Sequence, residues 1–341
     1  MKKYATLITF GFIVWLGIAC GKSDKTAGKT DNASCFDTES IPHTANEDMG
    51  ISENSATQTE NASSKGTDSS INSFEPKEEK SVLTPAKRAL VIGIGEQMDK
   101  NWAKINGDKD VPFVKEMLVN AGYKDIHTLV NKQATKASIL SGFKSLTNRC
   151  HIGDVVYVHF SGHGQQVTDV NGDEEDGFDE SWIPYDAYLK YGKEDKGEKH
   201  LIDDEIYMLL TAIRKNIGEK GKLLVVVDAC HSGDSSRGDD LDETVRGVYD
   251  KFVIPTTKKV KTTKATEQWL TLSACEDYQL NQELKSPQVG KLTYTLYMLS
   301  KNGDLSKKGI VNYMAKLRSR LPQDPVQTGD EVNQKISDFL R

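Results

Sequence analysis

The sequence has few cysteines, and its net charge is small for its length. Five cysteines in 341 residues are too few for a disulfide-stapled scaffold, and their spacing fits no zinc motif. A free reactive thiol is therefore allowed. The formal charge of −6 argues against a nucleic-acid partner, which would need a basic surface. No internal repeat is present, which argues against a solenoid.

One apolar run, residues 5–19, lies at the N-terminus. It follows Lys2 and Lys3 and stops at Cys20, which is the pattern of a secretory signal. A membrane span would take roughly 20 apolar residues. Cys20 and the residues before it resemble the lipobox of bacterial lipoproteins, although Gly17 stands where Leu is usual. The resemblance implies a signal peptide over residues 1–20 and a lipid on Cys20; a plain signal peptide is the alternative.

The next segment, residues 21–82, is polar and rich in Ser, Thr, Asn, Lys and Glu. It cannot bury enough apolar surface to offset the entropy of ordering, so we predict a disordered tether. Residues 22–25 resemble the charged sorting signals of surface-displayed lipoproteins. We therefore expect an exported protein anchored by lipid to a bacterial membrane, at the outer membrane or the cell surface. Residues 83–341 have a globular composition, and about 260 residues suit one large domain.

Apolar runs and helical spacings alternate along this domain. Short apolar runs predict strands at residues 89–94, 125–130, 154–160, 222–227 and 269–274. Helical spacing predicts helices at residues 110–118, 135–146, 204–213, 294–299 and 311–321. The alternation implies βαβ crossovers, hence an α/β fold with a mostly parallel central sheet flanked by helices.

Loops with reactive side chains follow two of the predicted strands. Ser161-Gly162-His163-Gly164 ends one strand, and Asp228-Ala229-Cys230 ends another. Because ligands bind beyond the carboxyl ends of parallel strands, neighbouring strands would bring His163 and Cys230 together. A thiolate needs a partner that protonates the leaving amine, and His suits that role. We predict Cys230 as nucleophile, His163 as its partner, and the N–H groups of Gly164 and Cys230 as oxyanion donors.

Taken singly, each of these features has a structural alternative: Gly-His-Gly is often a tight turn, and a lone buried Cys is often an inert core residue. Together they resemble the metacaspases and related caspase-like cysteine peptidases. In chain order, the matching segments are residues 160–165, 172–180, 184–186, 227–233, 272–277 and 292–294. The resemblance implies the caspase-hemoglobinase fold, a cysteine endopeptidase that forms an acyl-enzyme on protein or peptide substrates, and a monomer. Ala229 departs from the family, where Ser is usual, and His231 is interpreted as structural.

Asp228 stands two residues before Cys230, at the mouth of the same strand. A carboxylate there would pair with a substrate Lys or Arg and would repel an Asp. We therefore predict cleavage after Arg or Lys. The resemblance adds Asp110 as a second pocket acid, with a helix N-cap as the alternative role. Ser161 completes the predicted substrate-binding set.

The segment 169–180 is rich in carboxylates. Four side chains fall at the first, third, fifth and twelfth positions of an EF-hand loop: Asp169, Asn171, Asp173 and Glu180. Glu174 stands where that loop requires Gly, and a strand precedes it, which argues against an EF-hand.

The resemblance to metacaspases nevertheless implies calcium binding through carboxylates, since a hard cation takes oxygen ligands. The residues that it implies are Asp179, Asp203 and Asp204, with Asp239 as the nearest match for a fourth. We expect Ca²⁺ to act as an activator, while the chemistry itself requires no cofactor. A solvated acidic loop is the alternative.

Residues 235–268 form a long polar connection between two predicted core strands. Loops of this length are usually functional or mobile. Its basic residues include Arg246, Lys251, Lys258, Lys259, Lys261 and Lys264. Since the enzyme is expected to cut after basic residues, we predict self-cleavage in this connection.

Two other functions are compatible with parts of the sequence. A caspase fold without activity could serve as a surface binding module, although both members of the Cys/His pair are present. A metal-dependent hydrolase would use His163 and His231, but these lack the short ligand spacing of zinc motifs. The peptidase reading accounts for more of the chain than either alternative.

Overall fold

A six-stranded sheet forms the centre of the domain in the computed structural model, which describes residues 84–230, 245–248, 250–255, 267–317 and 322–341. From edge to edge its strands are β11 (Val326–Gly329), β8 (Leu270–Ser273), β7 (Lys222–Asp228), β3 (Val155–Ser161), β1 (Lys87–Gly93) and β2 (Asp125–Val130). Neighbouring strands pair in parallel except β11, which is antiparallel to β8. The predicted mostly parallel α/β fold is confirmed.

Helices cover both faces of this sheet. On one face lie α1 (Gly107–Asn120), α4 (Lys291–Ser300), α5 (Lys307–Met314) and α6 (Ile336–Leu340), and on the other α2 (Lys136–Arg149) and α3 (Asp203–Ile217). Successive strand residues point to opposite faces, so Leu224 and Val226 join the first core and Leu223 and Val225 the second. Because both faces are buried, the strands appear in the sequence as continuous apolar runs.

Two small sheets lie outside the central one. One contains β4 (Gly164–Thr168), β5 (Phe178–Trp182) and β6 (Leu201–Ile202), and the other is a hairpin of β9 (Glu283–Lys285) and β10 (Gln288–Gly290). The sequence predicts none of these strands. They are two to five residues long and mix polar with apolar side chains, so they lack the apolar run that identifies the central strands.

The helix predicted over residues 311–321 is wrong at both ends. It begins at Lys307, because Ser306 is its N-cap and the Ser306 hydroxyl accepts a hydrogen bond from Gly309 N at 3.1 Å. It ends at Met314, where tighter turns follow, with Leu317 N donating to Met314 O at 3.1 Å. Apolar spacing alone reveals neither boundary.

The predicted signal peptide, tether and lipidation site at Cys20 lie outside the described residues, as do His231 and Asp239. These assignments stay predictions. Across the part of the chain that the structure describes, no helix combines the length and apolarity needed to cross a membrane.

Candidate active site

The carboxyl ends of β3 and β7 lie side by side in the middle of the sheet. Ser161 lies opposite Asp228 in the parallel register, and Gly162 N donates to Asp228 O at 3.4 Å. His163 and Cys230 each follow this pair by two positions. The structure therefore brings the two predicted reactive residues to one edge of the sheet.

His163 is held by main-chain atoms on both sides of its ring. Its Nε2 lies 2.8 Å from Ala103 O, which can only accept, so Nε2 carries the proton. Its Nδ1 then accepts from Gly247 N at 3.1 Å. Burial lowers the pKa of His163 to about 4, so the ring is neutral in this form of the chain. Trp102 packs beside it, with ring centroids 5.0 Å apart.

Cys230 is buried next to a second thiol. Its Sγ lies 3.0 Å from Gln279 O, and the Sγ of Cys275 lies 3.5 Å from the same oxygen. A hydrogen bond to Cys230, together with burial, raises the pKa of the Cys275 thiol well above its usual value. Gly247 covers Cys230 directly, because a side chain on Gly247 would meet the Cys230 Cβ at 2.8 Å.

The residue before Gly247 fills a pocket of three carboxylates. Arg246 is fully buried, and its Nη1 and Nη2 bind the two oxygens of Asp110 at 2.6 and 3.0 Å. Its Nε donates to Glu283 at 2.9 Å, and Nη1 lies 3.2 Å from Asp228 Oδ1. One guanidinium thus contacts three buried acids, and each of its nitrogens is bonded.

Further donors fix the two predicted pocket acids. Asp228 accepts from Thr293 N at 2.8 Å and from Asn281 Nδ2 at 2.8 Å. Burial alone would raise the pKa of Asp228, but Arg246 and these hydrogen bonds hold it below its usual value. Burial raises the pKa of Asp110, although Arg246 acts in the opposite direction. The pocket is therefore built to hold negative charge around a cation.

Comparison with known proteins supports the resemblance to metacaspases. The family model described as the metacaspase, peptidase C14 domain matches residues 87–237. Metacaspase-1 of Eremothecium gossypii is 32% identical over 163 residues, which cover 45% of this chain and 33% of that protein. Metacaspase-1B of Aspergillus fumigatus is 34% identical over 165 residues, covering 45% and 37%. Residues 87–237 are therefore similar to the metacaspase peptidase domain.

The curated relatives are longer than this chain, which spans about a third of their length. A solved structure, protein GSU0716 from Geobacter sulfurreducens, superposes with a TM-score of 0.54 at 24% sequence identity. The match covers 75% of this chain and 97% of that one. At this identity it supports the fold alone and nothing about the activity.

The structure separates the two roles weighed for Asp110. Helix α1 begins at Gly107 with Asn106 as its N-cap, so Asp110 lies inside the first turn and is not the cap. Its carboxylate instead binds Arg246. Ser161 does not reach Arg246 by any hydrogen bond among the described contacts; its hydroxyl donates to Asp110 at 2.7 Å and lies 2.8 Å from His159 Nε2. Ser161 therefore positions Asp110.

Glu283 is the pocket residue that the sequence did not predict. It lies at the start of β9, and Asn106 N donates to its Oε1 at 2.7 Å. It comes from a short hairpin far from both Asp110 and Asp228 in the sequence, so no motif spacing points to it. Gly164 opens β4 opposite Trp182, and its oxyanion role stays a prediction.

Of the predicted calcium ligands, Asp179 and Asp203 each belong to a group of three acids, whereas Asp204 belongs to neither group. Carboxylate oxygens of Asp169, Asp173 and Asp179 lie within 4.8 Å of one another, and so do those of Glu174, Glu180 and Asp203. Asp204, which begins α3 with Asp203, accepts a hydrogen bond from Asn171. Burial and then the charges of neighbouring acids raise the pKa of Glu180 to about 7. The carboxylates around Glu180 thus repel one another, and their oxygen atoms are ligands that fit a hard cation.

Proposed function

We propose that the chain is a cysteine endopeptidase that cuts after Arg, and more slowly after Lys, through an acyl-enzyme on Cys230. One observation carries the proposal. The guanidinium of Arg246 fills the carboxylate pocket while the N–H of the next residue, Gly247, donates to His163. A substrate held in this way would place its scissile bond between the nucleophile and its partner. The metacaspase relatives support the peptidase class.

The reaction follows from this placement. The Cys230 thiol gives its proton to His163 Nδ1, and the thiolate attacks the carbonyl carbon of the Arg residue. The C–N bond breaks as the proton passes from Nδ1 to the departing nitrogen, which leaves as an amine. Water then hydrolyses the thioester and restores the thiol. In the uncut chain the Gly247 nitrogen lies 3.1 Å from Nδ1, within reach of proton transfer.

Ala103 positions His163 for this step. Its carbonyl fixes the proton on Nε2, so Nδ1 is the nitrogen that is free to take the thiol proton and deliver it. The N–H groups of Gly164 and Cys230 are proposed to hold the oxyanion, as expected of donors at a strand end.

The pocket favours Arg over Lys because of its bonding pattern. Asp110 takes both terminal nitrogens of the guanidinium, and Glu283 takes Nε. An ammonium group cannot form this planar set of hydrogen bonds, although it would still be attracted by the charge. An Asp side chain would add a fourth carboxylate and would be repelled.

Peptides that differ only in the residue before a fluorogenic amide test this preference. With calcium and reductant, we expect the Arg peptide to be hydrolysed, the Lys peptide about 10-fold more slowly, and the Asp peptide not at all. Initial rates should fall to background in Cys230→Ala. Cys150→Ala, which removes a buried thiol at the end of α2, should keep the activity.

Each outcome has a definite meaning. Hydrolysis of the Asp peptide would contradict the pocket argument and leave the nucleophile in place. Equal rates in Cys230→Ala would contradict the nucleophile. Folded wild-type protein that is silent on all three peptides, even after trypsin has nicked residues 235–268, would favour a binding module.

We also propose that the acidic clusters between β4 and α3 bind Ca²⁺. The support is the proximity of their carboxylate oxygens together with the raised pKa of Glu180, which is caused by burial and then by the charges of neighbouring acids. A bound cation would offset this repulsion and would hold the segment that follows β4, which begins directly after His163. The carboxylates would supply oxygen ligands, and calcium would take no part in the bond cleavage.

Calcium should therefore raise the melting temperature of the protein. We expect the melting temperature of Cys230→Ala to rise by several degrees at millimolar Ca²⁺. This variant is used because it cannot cleave itself, so all of the protein stays uncut during the measurement. Asp179→Asn should lose the increase, because Asp179 belongs to one of the clusters. Asp176→Asn, an exposed acid of the same segment outside both clusters, should keep it. A melting temperature that Ca²⁺ leaves unchanged would contradict the proposal, whatever the activity.

A further inference from the structure

We propose that this site is selective for Arg–Gly bonds, because the position after the cut residue accepts glycine and excludes side chains. The inference rests on the proposed function and narrows its substrate class. It comes from Gly247, the residue whose nitrogen would leave when Arg246 is the acylating residue.

Gly247 has a backbone conformation that favours glycine. Its φ is +144°, in a region that residues with a side chain rarely adopt. A Cβ on Gly247 would also lie 2.8 Å from the Cβ of Cys230, 2.8 Å from its carbonyl oxygen and 3.3 Å from its carbonyl carbon. These contacts are shorter than packed atoms tolerate. Backbone conformation and available space thus exclude a side chain independently.

The atoms that a Cβ would strike cannot move aside easily. Cys230 lies two residues after the end of β7, the strand paired on both sides at the centre of the sheet. Two of the contacts are main-chain atoms of the nucleophile itself, and its Sγ is bonded to Gln279 O at 3.0 Å. Displacing Cys230 would also displace the sulfur that attacks the substrate.

The segment around Gly247 is held at both ends, so it cannot shift away either. Upstream, Arg246 N donates to Asn281 O at 2.9 Å, and its side chain is fixed in the pocket. Downstream, the buried Phe252 donates its N–H to Gln166 O of β4 at 2.8 Å. The scissile position is therefore fixed relative to Cys230.

A separate substrate would meet the same constraint. The upstream hydrogen bond uses main-chain atoms, which every peptide has, and the pocket needs only the guanidinium. A peptide with Arg in the pocket would thus place its next residue where Gly247 now lies. The chain itself offers two Arg–Gly bonds in residues 235–268, at Arg237–Gly238 and Arg246–Gly247. None of the lysines of that connection is followed by glycine.

Internally quenched peptides copied from residues 243–250 provide the test. One series keeps Arg and places Gly, Ala, Ser or Leu after it, and each peptide is incubated with self-processed wild-type protein or with Cys230→Ala. We expect the Gly peptide to be cut and kcat/KM to fall by about 100-fold for Ala, and further for Leu. Trypsin should cut the Gly and Ala peptides alike, which controls for their quality.

Cleavage of the Ala peptide within threefold of the Gly peptide would overturn the glycine requirement and leave the peptidase function standing. A cut at Arg–Leu as fast as at Arg–Gly would do the same. If the wild-type protein cut none of the peptides while trypsin cut them, the proposed function itself would fail. The two failures are therefore distinguishable.

Discussion

Asp228→Asn should lower kcat/KM for an Arg peptide by about 1000-fold, while the protein remains folded. The substitution keeps the shape of the side chain but removes a negative charge from a fully buried pocket. Arg246 Nη1 lies 3.2 Å from Asp228 Oδ1, and a substrate guanidinium would face the same oxygen. The amide would also turn a donor toward Thr293 N or Asn281 Nδ2, which both donate to this carboxylate.

Glu283→Gln is the comparison that tests the pocket itself. Glu283 contacts only Nε of the guanidinium, an atom that Lys lacks. Once cleaved after Arg246, this variant should therefore lose rate on the Arg peptide and keep most of its rate on the Lys peptide. Asp228→Asn should lose rate on both. Steady-state kinetics on the two peptides, with circular dichroism as the folding control, measure these effects. An Asp228→Asn variant with near wild-type kcat/KM would show that substrates bind elsewhere.

The inner strands of the central sheet were predictable from the sequence because they are buried on both faces and appear as apolar runs, as in β1 and β7. The edge strand β2 is only partly buried, although its bounds match the predicted range 125–130, and the edge strand β11 has no apolar run and was not predicted. The strands of the small sheets have no comparable signal. β4 and β5 are held by pairing with each other and by the chain around Phe252, and such long-range contacts leave no local pattern.

The site was predictable as far as it depends on strand ends. His163, Cys230 and Asp228 follow buried parallel strands, so topology alone places them together. Arg246 and Glu283 come from a connection and a hairpin whose positions are set by tertiary contacts. Arg246 is one of seven basic residues in its connection, and nothing in the sequence separates it from Arg237, which is also followed by Gly. The three-carboxylate pocket selects it.

The second large effect follows from this placement: Arg246→Gln should leave the bond after residue 246 uncut. In the uncut chain Arg246 occupies the pocket and Gly247 covers Cys230, so a separate substrate cannot enter. Self-cleavage should therefore come first and should create a second chain that begins at Gly247. Gln has neither the positive charge nor the several N–H donors of the guanidinium that the three buried carboxylates bind. Its presence should also cost roughly 3–5 kcal/mol of stability, because these acids lose their cation.

Two further variants separate cleavage from stability. Arg246→Lys keeps the charge and should be cut slowly at the same bond, whereas Lys251→Gln, a basic residue of the same connection, should be cut like the wild type. Intact mass and N-terminal sequencing after incubation with calcium and reductant report each result, with Cys230→Ala as the uncut control. Cleavage of Arg246→Gln after residue 246, or equal nicking of Cys230→Ala, would show that another protease acts there. If instead Lys251→Gln alone stayed whole, the cut would depend on Lys251, and Arg246 would not be the residue at which the chain is cleaved.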